Sequence, residues 1–495
     1  MSKIIIQNGN MCELDLPLKF AQKLYNEFAI RHPNAFYLRT RQRGMQNWDG
    51  KIHYITKTGQ FKIGLLPKVY DMCIEMGIKP KVVDMRQPLP KVSKVVTNIG
   101  KYKLRPEQEK AVKSVINNRV GNTPFHIGVL DYTVNAGKTL IMSSLYLSYK
   151  KQLKTLLITN DSDWLNQARE EFKQYLPGED ITFVQGKVLN WSNFTIGMVQ
   201  SISRNMRFYQ KELSQIDMVL VDEADQGGSK QYQNVITRLF NTRIRIGLSG
   251  TIYMSKLAKD KVKNMNLECF FGKVIAEFKL KDSIKKGYST KTVVKMVPGK
   301  PWYGNWESDC ISYKEIYDDS ITNCYTAWLM AYNRLRWNIN QGRYPALVVC
   351  KHIAHCENLY KFFKKKLGDA YNIAYVHVNT PSKLRQQIMR DFREGKIDIL
   401  VSTTIIARGK NFPKLRYLLN AASMDSQEKT IQFLGRLVRT DESKNKVYLD
   451  DLHYPGNYLD RHGKHRKQYY QRQELKVILL DKLWKKHPNH SLIKS

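Results

Sequence analysis

The stretch Ile127-Gly-Val-Leu-Asp-Tyr-Thr-Val-Asn-Ala-Gly-Lys-Thr139 decides the fold. The apolar run Ile127 to Leu130 reads as a buried strand. It leads into a turn that closes on Gly137-Lys138-Thr139, and a helix begins near Leu140. Strand, turn and helix in that order gather backbone N–H groups and a helix N-terminus around one point, which suits a phosphate. Lys138 would reach the β- and γ-phosphates, and the Thr139 hydroxyl would bind Mg²⁺. The full pattern G-x-x-x-x-G-K-[ST] puts glycine at position 132, where this chain has Tyr132. Alone, the string is a partial match that a chance Gly-Lys-Thr at a helix start would also produce.

A second string raises its weight. Met218-Val-Leu-Val221 reads as another buried strand, with Asp222-Glu-Ala-Asp225 at its C-terminal end. Parallel sheets bind ligands at that edge. Asp222 would hold the metal through water, and Glu223 would orient or deprotonate the attacking water. Two adjacent acids could instead cap a helix, but a phosphate loop upstream in the same sheet favours the catalytic pair. A third string, Gln432-Phe-Leu-Gly-Arg-Leu-Val-Arg439, lies on a helix expected over Gln427 to Thr440. Arg436 and Arg439 are three apart and so would share a face. They could be a solvated basic face or a phosphate-backbone contact. As inserted arginines they would stabilise the transferring phosphoryl group, an effect of about 10³–10⁵ in rate, and tie hydrolysis to closure of two domains.

The patterning around these strings is α/β. Leu156 to Thr159, Thr195 to Val199, Met218 to Val221 and Ile244 to Leu248 are buried-strand runs alternating with helical segments, as a parallel sheet covered on both faces requires. The pattern repeats at Leu347 to Cys350, Tyr375 to Val378, Ile397 to Ser402 and Tyr417 to Asn420. The expected organisation is a small N-terminal α+β domain over 1–95, a first α/β domain over 102–255, a connector over 256–320, a second α/β domain over 321–450 and a basic helical tail over 451–495. Within 1–95 the pattern suggests helices over Leu16 to Ile30 and Val69 to Met76. It also suggests a hairpin of Ile52 to Ile55 with Phe61 to Leu65.

Bulk properties set the class of partner. The 495 residues carry 81 Lys and Arg against 44 Asp and Glu, a net charge of +37. That excess points to a polyanion, most simply nucleic acid. Seven cysteines without a CxxC pair suggest a reduced, cytoplasmic protein. No run of about 18 apolar residues suggests a membrane span. The opening Met-Ser-Lys-Ile-Ile-Ile turns polar too soon for a secretory signal.

Taken in order, Arg105-Pro-Glu-Gln108, Thr133 to Thr139, Asp222 to Asp225, Leu248-Ser-Gly-Thr251, Val401 to Asn411 and Gln432 to Arg439 resemble a superfamily 2 helicase. The resemblance implies two tandem RecA-like parallel-sheet domains and ATP with Mg²⁺ as cofactors. Gln108, with Arg105, would recognise adenine. Thr133, Asn135, Ala136, Gly137, Lys138, Thr139 and Gly409 would surround the nucleotide. Ser249, Thr251 and Gln432 would couple that site to the nucleic-acid track. Gln167, Gln200, Arg204 and Thr403 would touch the strand, and Asn411 would lie near both ligands.

The segments Arg43-Gly-Met-Gln-Asn-Trp-Asp-Gly-Lys51, Gly64-Leu-Leu-Pro-Lys68 and Asn457 to Leu480 are similar to the phage UvsW helicase family. That similarity implies a motor on branched, forked or single-stranded DNA or on RNA–DNA hybrids. Such a motor would migrate junctions, regress forks, unwind or anneal strands, and work in the host cytoplasm if phage-encoded. Nothing in the sequence demands an oligomer, so a monomer is expected, one that could meet other replication or recombination proteins. The Asp-Glu-Ala-Asp tetrapeptide invites an RNA-helicase reading, but Gln432 to Arg439 departs from the usual last motif of those enzymes. A non-catalytic nucleic-acid scaffold is the alternative from another class, and the intact Lys138, Glu223 and Arg439 speak against it.

Candidate backbone-tracking cations are Arg39, Arg41, Arg43, Lys51 and those of Arg461 to Lys467. Trp48, Trp302, Trp306 and Tyr469 are candidate stacking wedges. Ordinary packing is the competing reading for each, and Trp48 fits a turn anchor better.

Overall fold

The computed structural model describes residues 2–42, 44–149, 152–188, 190–252, 258–299, 312–407 and 412–480. Arg43, Trp302, Trp306, Gly409 and Asn411 lie outside them. The chain divides into two compact units, Met1–Phe278 and Lys279–Ser495.

The first unit is built on a seven-stranded, all-parallel sheet. In spatial order its strands are Ile181–Val184, Phe194–Met198, Thr155–Thr159, Met218–Asp222, Ile244–Ser249, His126–Tyr132 and Val274–Phe278. The central strands Thr155–Thr159, Met218–Asp222 and Ile244–Ser249 are buried at every residue. Helices cover both faces, so alternation is lost and continuous Leu, Ile and Val runs result. The second unit repeats the plan with Ile373–Val376, Ile399–Ser402, Ala346–Val349, Tyr417–Asn420, Lys446–His453, Lys291–Pro298 and Val477–Leu479, again all parallel. The segment 256–320 therefore supplies an edge strand, Val274–Phe278, to the first sheet, and Lys291–Pro298 to the second.

The N-terminal residues form a four-stranded sheet in the order Gln60–Lys62, Met11–Asp15, Lys3–Ile6 and Lys81–Asp84, with helices Leu18–Glu27 and Leu66–Glu75. The expected hairpin does not form. Lys51–His53 pairs with Ala29–Arg31, and Gln60–Lys62 pairs with Met11–Asp15; a single Ile55–Phe61 bridge joins the two segments. Five residues, including a left-handed Gly59, separate Ile55 from Phe61, and each half pairs mainly with a different segment.

This small domain shares its core with the parallel-sheet domain. Ile4, Phe28, Ile63 and Leu65 belong to the same buried cluster as Ile127, Val129, Val221 and Phe271. Backbones touch: a side chain at Gly64 would lie 2.1 Å from the Glu268 carbonyl, and one at Gly9 would lie 2.5 Å from that of Leu239. Arg245, fully buried, fastens the junction. Its guanidinium donates to the Gly9 carbonyl at 2.6 Å, to Asn10 Oδ1 at 2.8 Å and to the Phe270 carbonyl at 3.1 Å. Arg245→Ala would strand those acceptors without water, and we expect a loss of about 3 kcal/mol in urea unfolding of the chain.

The basic tail is the last layer of the second unit. Helix Asn457–Arg472 packs on helix Gln427–Leu437, and Val477–Leu479 extends the sheet. Strand Lys446–His453 buries two adjacent carboxylates, Asp450 and Asp451. Buried charges require partners. Arg334 donates to Asp450 at 2.6 Å; Arg466, fully buried, donates to Asp451 at 2.8 Å. Tyr470 donates to Asp451 at 2.7 Å, Tyr469 donates to Asp425 at 2.9 Å, and His465 Nδ1 lies 3.0 Å from Asp425. Arg466 and Tyr469 are thus packing residues rather than a strand contact and a wedge. Arg461 stays exposed, as does Lys464, which pairs with Asp460.

Candidate nucleotide site

The site is built at the C-terminal edge of the first sheet. Strand His126–Tyr132 ends in the loop 133–137, and helix Lys138–Ser148 leaves it. Asn135 and Gly137 both adopt left-handed backbone, at φ 66° and 70°. This conformation turns successive N–H groups toward a common point, and at Gly137 only glycine fits. A side chain there would meet Gln108 Nε2 at 2.3 Å. Tyr132, standing where a glycine was expected, is a pillar: its buried hydroxyl donates to the Glu107 carbonyl at 2.8 Å. Gln108 is held from both ends. Its Nε2 donates to the Ala136 carbonyl at 2.8 Å, and its Oε1 accepts from the Arg105 N–H at 2.8 Å. Lys138 donates at 3.4 Å to the Tyr132 carbonyl.

Strand Met218–Asp222 delivers the carboxylates to the same edge. Asp222 is buried, and burial raises its pKa while Lys138 opposes the rise. Asp222 Oδ1, Thr133 Oγ1 and both side-chain amide atoms of Asn135 are buried without hydrogen-bond partners among the described residues. Such groups are costly and mark a place where a ligand completes the bonding. Glu223 follows at φ 52°, a left-handed backbone that a side-chain-bearing residue rarely adopts. Asp225 accepts from the Ser249 hydroxyl at 2.9 Å, and that hydroxyl lies 3.1 Å from Thr251 Oγ1. Gly250 packs against the loop itself, where a side chain would lie 3.1 Å from the Tyr132 carbonyl. The loop, the acidic strand end and the Ser249-Gly-Thr251 turn are thus in direct contact.

One of the expected strand-contacting positions, Gln200, adjoins this edge. Gln200 Nε2 donates to the Asn160 carbonyl at 3.3 Å, Asn160 is hydrogen-bonded to Gln226, and Gln226 Nε2 lies 3.5 Å from Glu223 Oε2. Gln226 carried no sequence signal, because its partner is 66 residues away. Arg204, on the last turn of Val199–Arg204, is exposed, and so is Gln167. Lys51 is exposed too, with its carbonyl accepting from Trp48 Nε1 at 2.9 Å, so Trp48 anchors this turn.

In the second unit Thr403 is buried just past strand Ile399–Ser402. Gln432 and Arg436 are half-buried on helix Gln427–Leu437, and Gln432 donates to Glu428 at 3.3 Å. The helix ends at Leu437, so Arg439 follows the cap residue Val438 and does not share a helical face with Arg436. Lys444, buried, ends the helix by donating to the Leu437 carbonyl at 3.2 Å; burial pulls its pKa down to about 8.

Among the described residues no cluster of three or more His, Cys, Asp or Glu could hold a metal, and no helix is long and apolar enough to cross a membrane. A Mg²⁺ site that borrows nucleotide oxygens and waters needs only one or two protein ligands.

Two family models match the chain in this order. Residues 101–254 match the Type III restriction enzyme res subunit family, and residues 331–441 match the helicase conserved C-terminal domain. The chain carries the two domains of a superfamily 2 helicase. It is similar to the ATP-dependent DNA helicase uvsW of Enterobacteria phage T4, 21% identical over 88% of this chain and 90% of that protein. It is also similar to the protein designated helicase 22 of a Sulfolobus islandicus filamentous virus, 22% identical over 71% of this chain and 64% of that protein. The solved structure of the ATP-dependent Type ISP restriction-modification enzyme LlaBIII bound to DNA shares the fold, with a TM-score of 0.58, 16% identity, and coverage of 83% of this chain and 34% of that one. Each parallel-sheet unit thus carries one of the two matched regions, 101–254 in the first and 331–441 in the second.

Proposed function

We propose that this chain is an ATP-driven motor that remodels branched DNA: forks, junctions and displaced strands. The observation that carries the chemistry is the set of buried, partnerless polar groups, Thr133 Oγ1, Asn135 and Asp222 Oδ1, around a left-handed loop at a sheet's C-terminal edge. In this account the N–H groups of Ala136 to Thr139 and the helix start receive the nucleotide phosphates. Lys138 leaves the Tyr132 carbonyl for the β- and γ-phosphate oxygens. Thr139 and Asp222 are the groups that would hold Mg²⁺, which when bound supplies charge neutralisation at those oxygens. Glu223 orients the attacking water and takes its proton. Arg436 and Arg439 are assigned to charge stabilisation during turnover, and Gly409 to the nucleotide's surroundings. Gln108 and Arg105 are assigned to the adenine, and Ser249, Thr251 and Gln432 to coupling. Arg43, Lys51, Gln167, Gln200, Arg204 and Thr403 are assigned to the strand.

The similarity to the phage T4 protein, extending over most of both chains, supports DNA as the track. Matches to RNA helicases cover less, for example 16% of this chain for RhlB of Aliivibrio salmonicida. ATP hydrolysis should be stimulated more by forked DNA than by single-stranded RNA of equal length. Stronger stimulation by the RNA would move the function to RNA remodelling.

A further inference from the structure

An exposed aromatic residue surrounded by cations lies on the second unit, and none of the side chains around it is assigned above. Trp337, near the end of helix Tyr325–Ile339, is 43% exposed. Lys295 Nζ lies 4.9 Å from its ring centroid, Arg343 Cζ 4.8 Å and Arg334 Cζ 5.0 Å. Arg343 also lies 3.6 Å from the centroid of Tyr448, with Lys446 at 5.8 Å. The carboxylate that acts on this group, Asp450, is buried and already bonded to Arg334. Lys295 and Lys446 make no ion pair among the described residues. The pKa of Lys295 is lowered by burial and further by Arg334, Arg343 and Lys446, the field an anion would relieve.

The position is at the far edge of the sheet. Arg343 precedes strand Ala346–Val349, and Lys446 and Tyr448 open strand Lys446–His453; Thr403 follows the opposite, C-terminal end of its strand. Arg343, Lys446 and Tyr448 therefore lie toward the opposite edge of the sheet from Thr403.

We propose that Trp337, Lys295, Arg343, Tyr448 and Lys446 form a second nucleic-acid site, which holds a single strand by stacking a base on Trp337 and pairing its phosphates with the lysines and arginines. Cations alone would suit any polyanion. An exposed tryptophan among them adds a preference for a chain that carries bases, since each stacked base contributes about 1–3 kcal/mol.

The test uses the full chain without ATP, with fluorescent oligothymidylate and an abasic oligomer of equal length and charge, titrated at several salt concentrations. Trp337→Ala should weaken oligothymidylate binding about tenfold, the equivalent of about 1.4 kcal/mol, and leave the abasic oligomer unchanged. Trp337→Phe should restore most of the loss. Lys446→Glu, at an exposed side chain, should weaken both oligomers and reduce the salt slope by about one. Unchanged oligothymidylate binding by Trp337→Ala, or an unchanged salt slope in Lys446→Glu, would overturn the proposal. So would polyglutamate competing as well as oligothymidylate, which would give the surface to an acidic protein. ATPase stimulation by forked DNA tests the motor separately, so failure here leaves that reading standing.

Discussion

Lys138→Ala is expected to lower nucleic-acid-stimulated ATP turnover by about 10³-fold, with DNA binding retained. Lys138 heads the helix that receives the phosphates and lies 3.4 Å from the Tyr132 carbonyl, close to buried Asp222, whose pKa it lowers. Its loss removes the positive charge on the transferring group without touching the loop's backbone, which is shaped by Asn135 and Gly137. Glu223→Gln should lower turnover about 10²–10⁴-fold by removing the base, again with DNA binding kept. Steady-state hydrolysis alongside anisotropy of a labelled fork measures both. Full turnover in either variant would refute the site.

Asp222→Asn is expected to abolish turnover and yet raise the melting temperature of the nucleotide-free protein. Burial raises the pKa of Asp222, so the fold disfavours its charged form. The sign follows from proton linkage. The folded state holds the proton more tightly than the unfolded chain, so stability falls as pH rises through the window between the unfolded carboxylate value and the raised folded one. The penalty grows across that window and is complete above the raised value. Asparagine removes it, for a gain of about 1 kcal/mol. The wild-type protein should be stabilised further by Mg²⁺ with ADP, and the variant much less. Calorimetry of both proteins with and without Mg²⁺ and ADP checks this; an Asp222→Asn chain that melts lower without ligand would contradict the account of Asp222 as a destabilising, ligand-awaiting group.

The two parallel sheets were legible because their central strands are buried on both faces and so appear as continuous apolar runs. The sequence runs at Met218 to Val221 and Tyr417 to Asn420 match strands Met218–Asp222 and Tyr417–Asn420 to within a residue. Three strands at or next to a sheet edge were not legible. Ile181–Val184 and Lys291–Pro298 are half-exposed and mixed in composition, and Val477–Leu479 is three residues long. The loop and the carboxylate pair could be read because their chemistry is local in sequence. The Ser249–Asp225 bond and the Asn160–Gln226 bond join strand ends and could be seen only once the sheet order was known. Charge misled in the C-terminal helix, where Arg466 reads as a surface cation but serves the buried Asp451. The same blindness to tertiary partners extended helix Gln427–Leu437 to Thr440, past the point where Lys444 closes it.

The central claim is that ATP turnover at this loop reshapes branched DNA, and strand displacement from a labelled fork tests it most directly. The wild-type chain with ATP and Mg²⁺ should convert the fork to displaced or reannealed products, and neither wild type without ATP nor Lys138→Ala with it should do so. Equal conversion by Lys138→Ala, or an intact fork beside vigorous hydrolysis, would contradict the account.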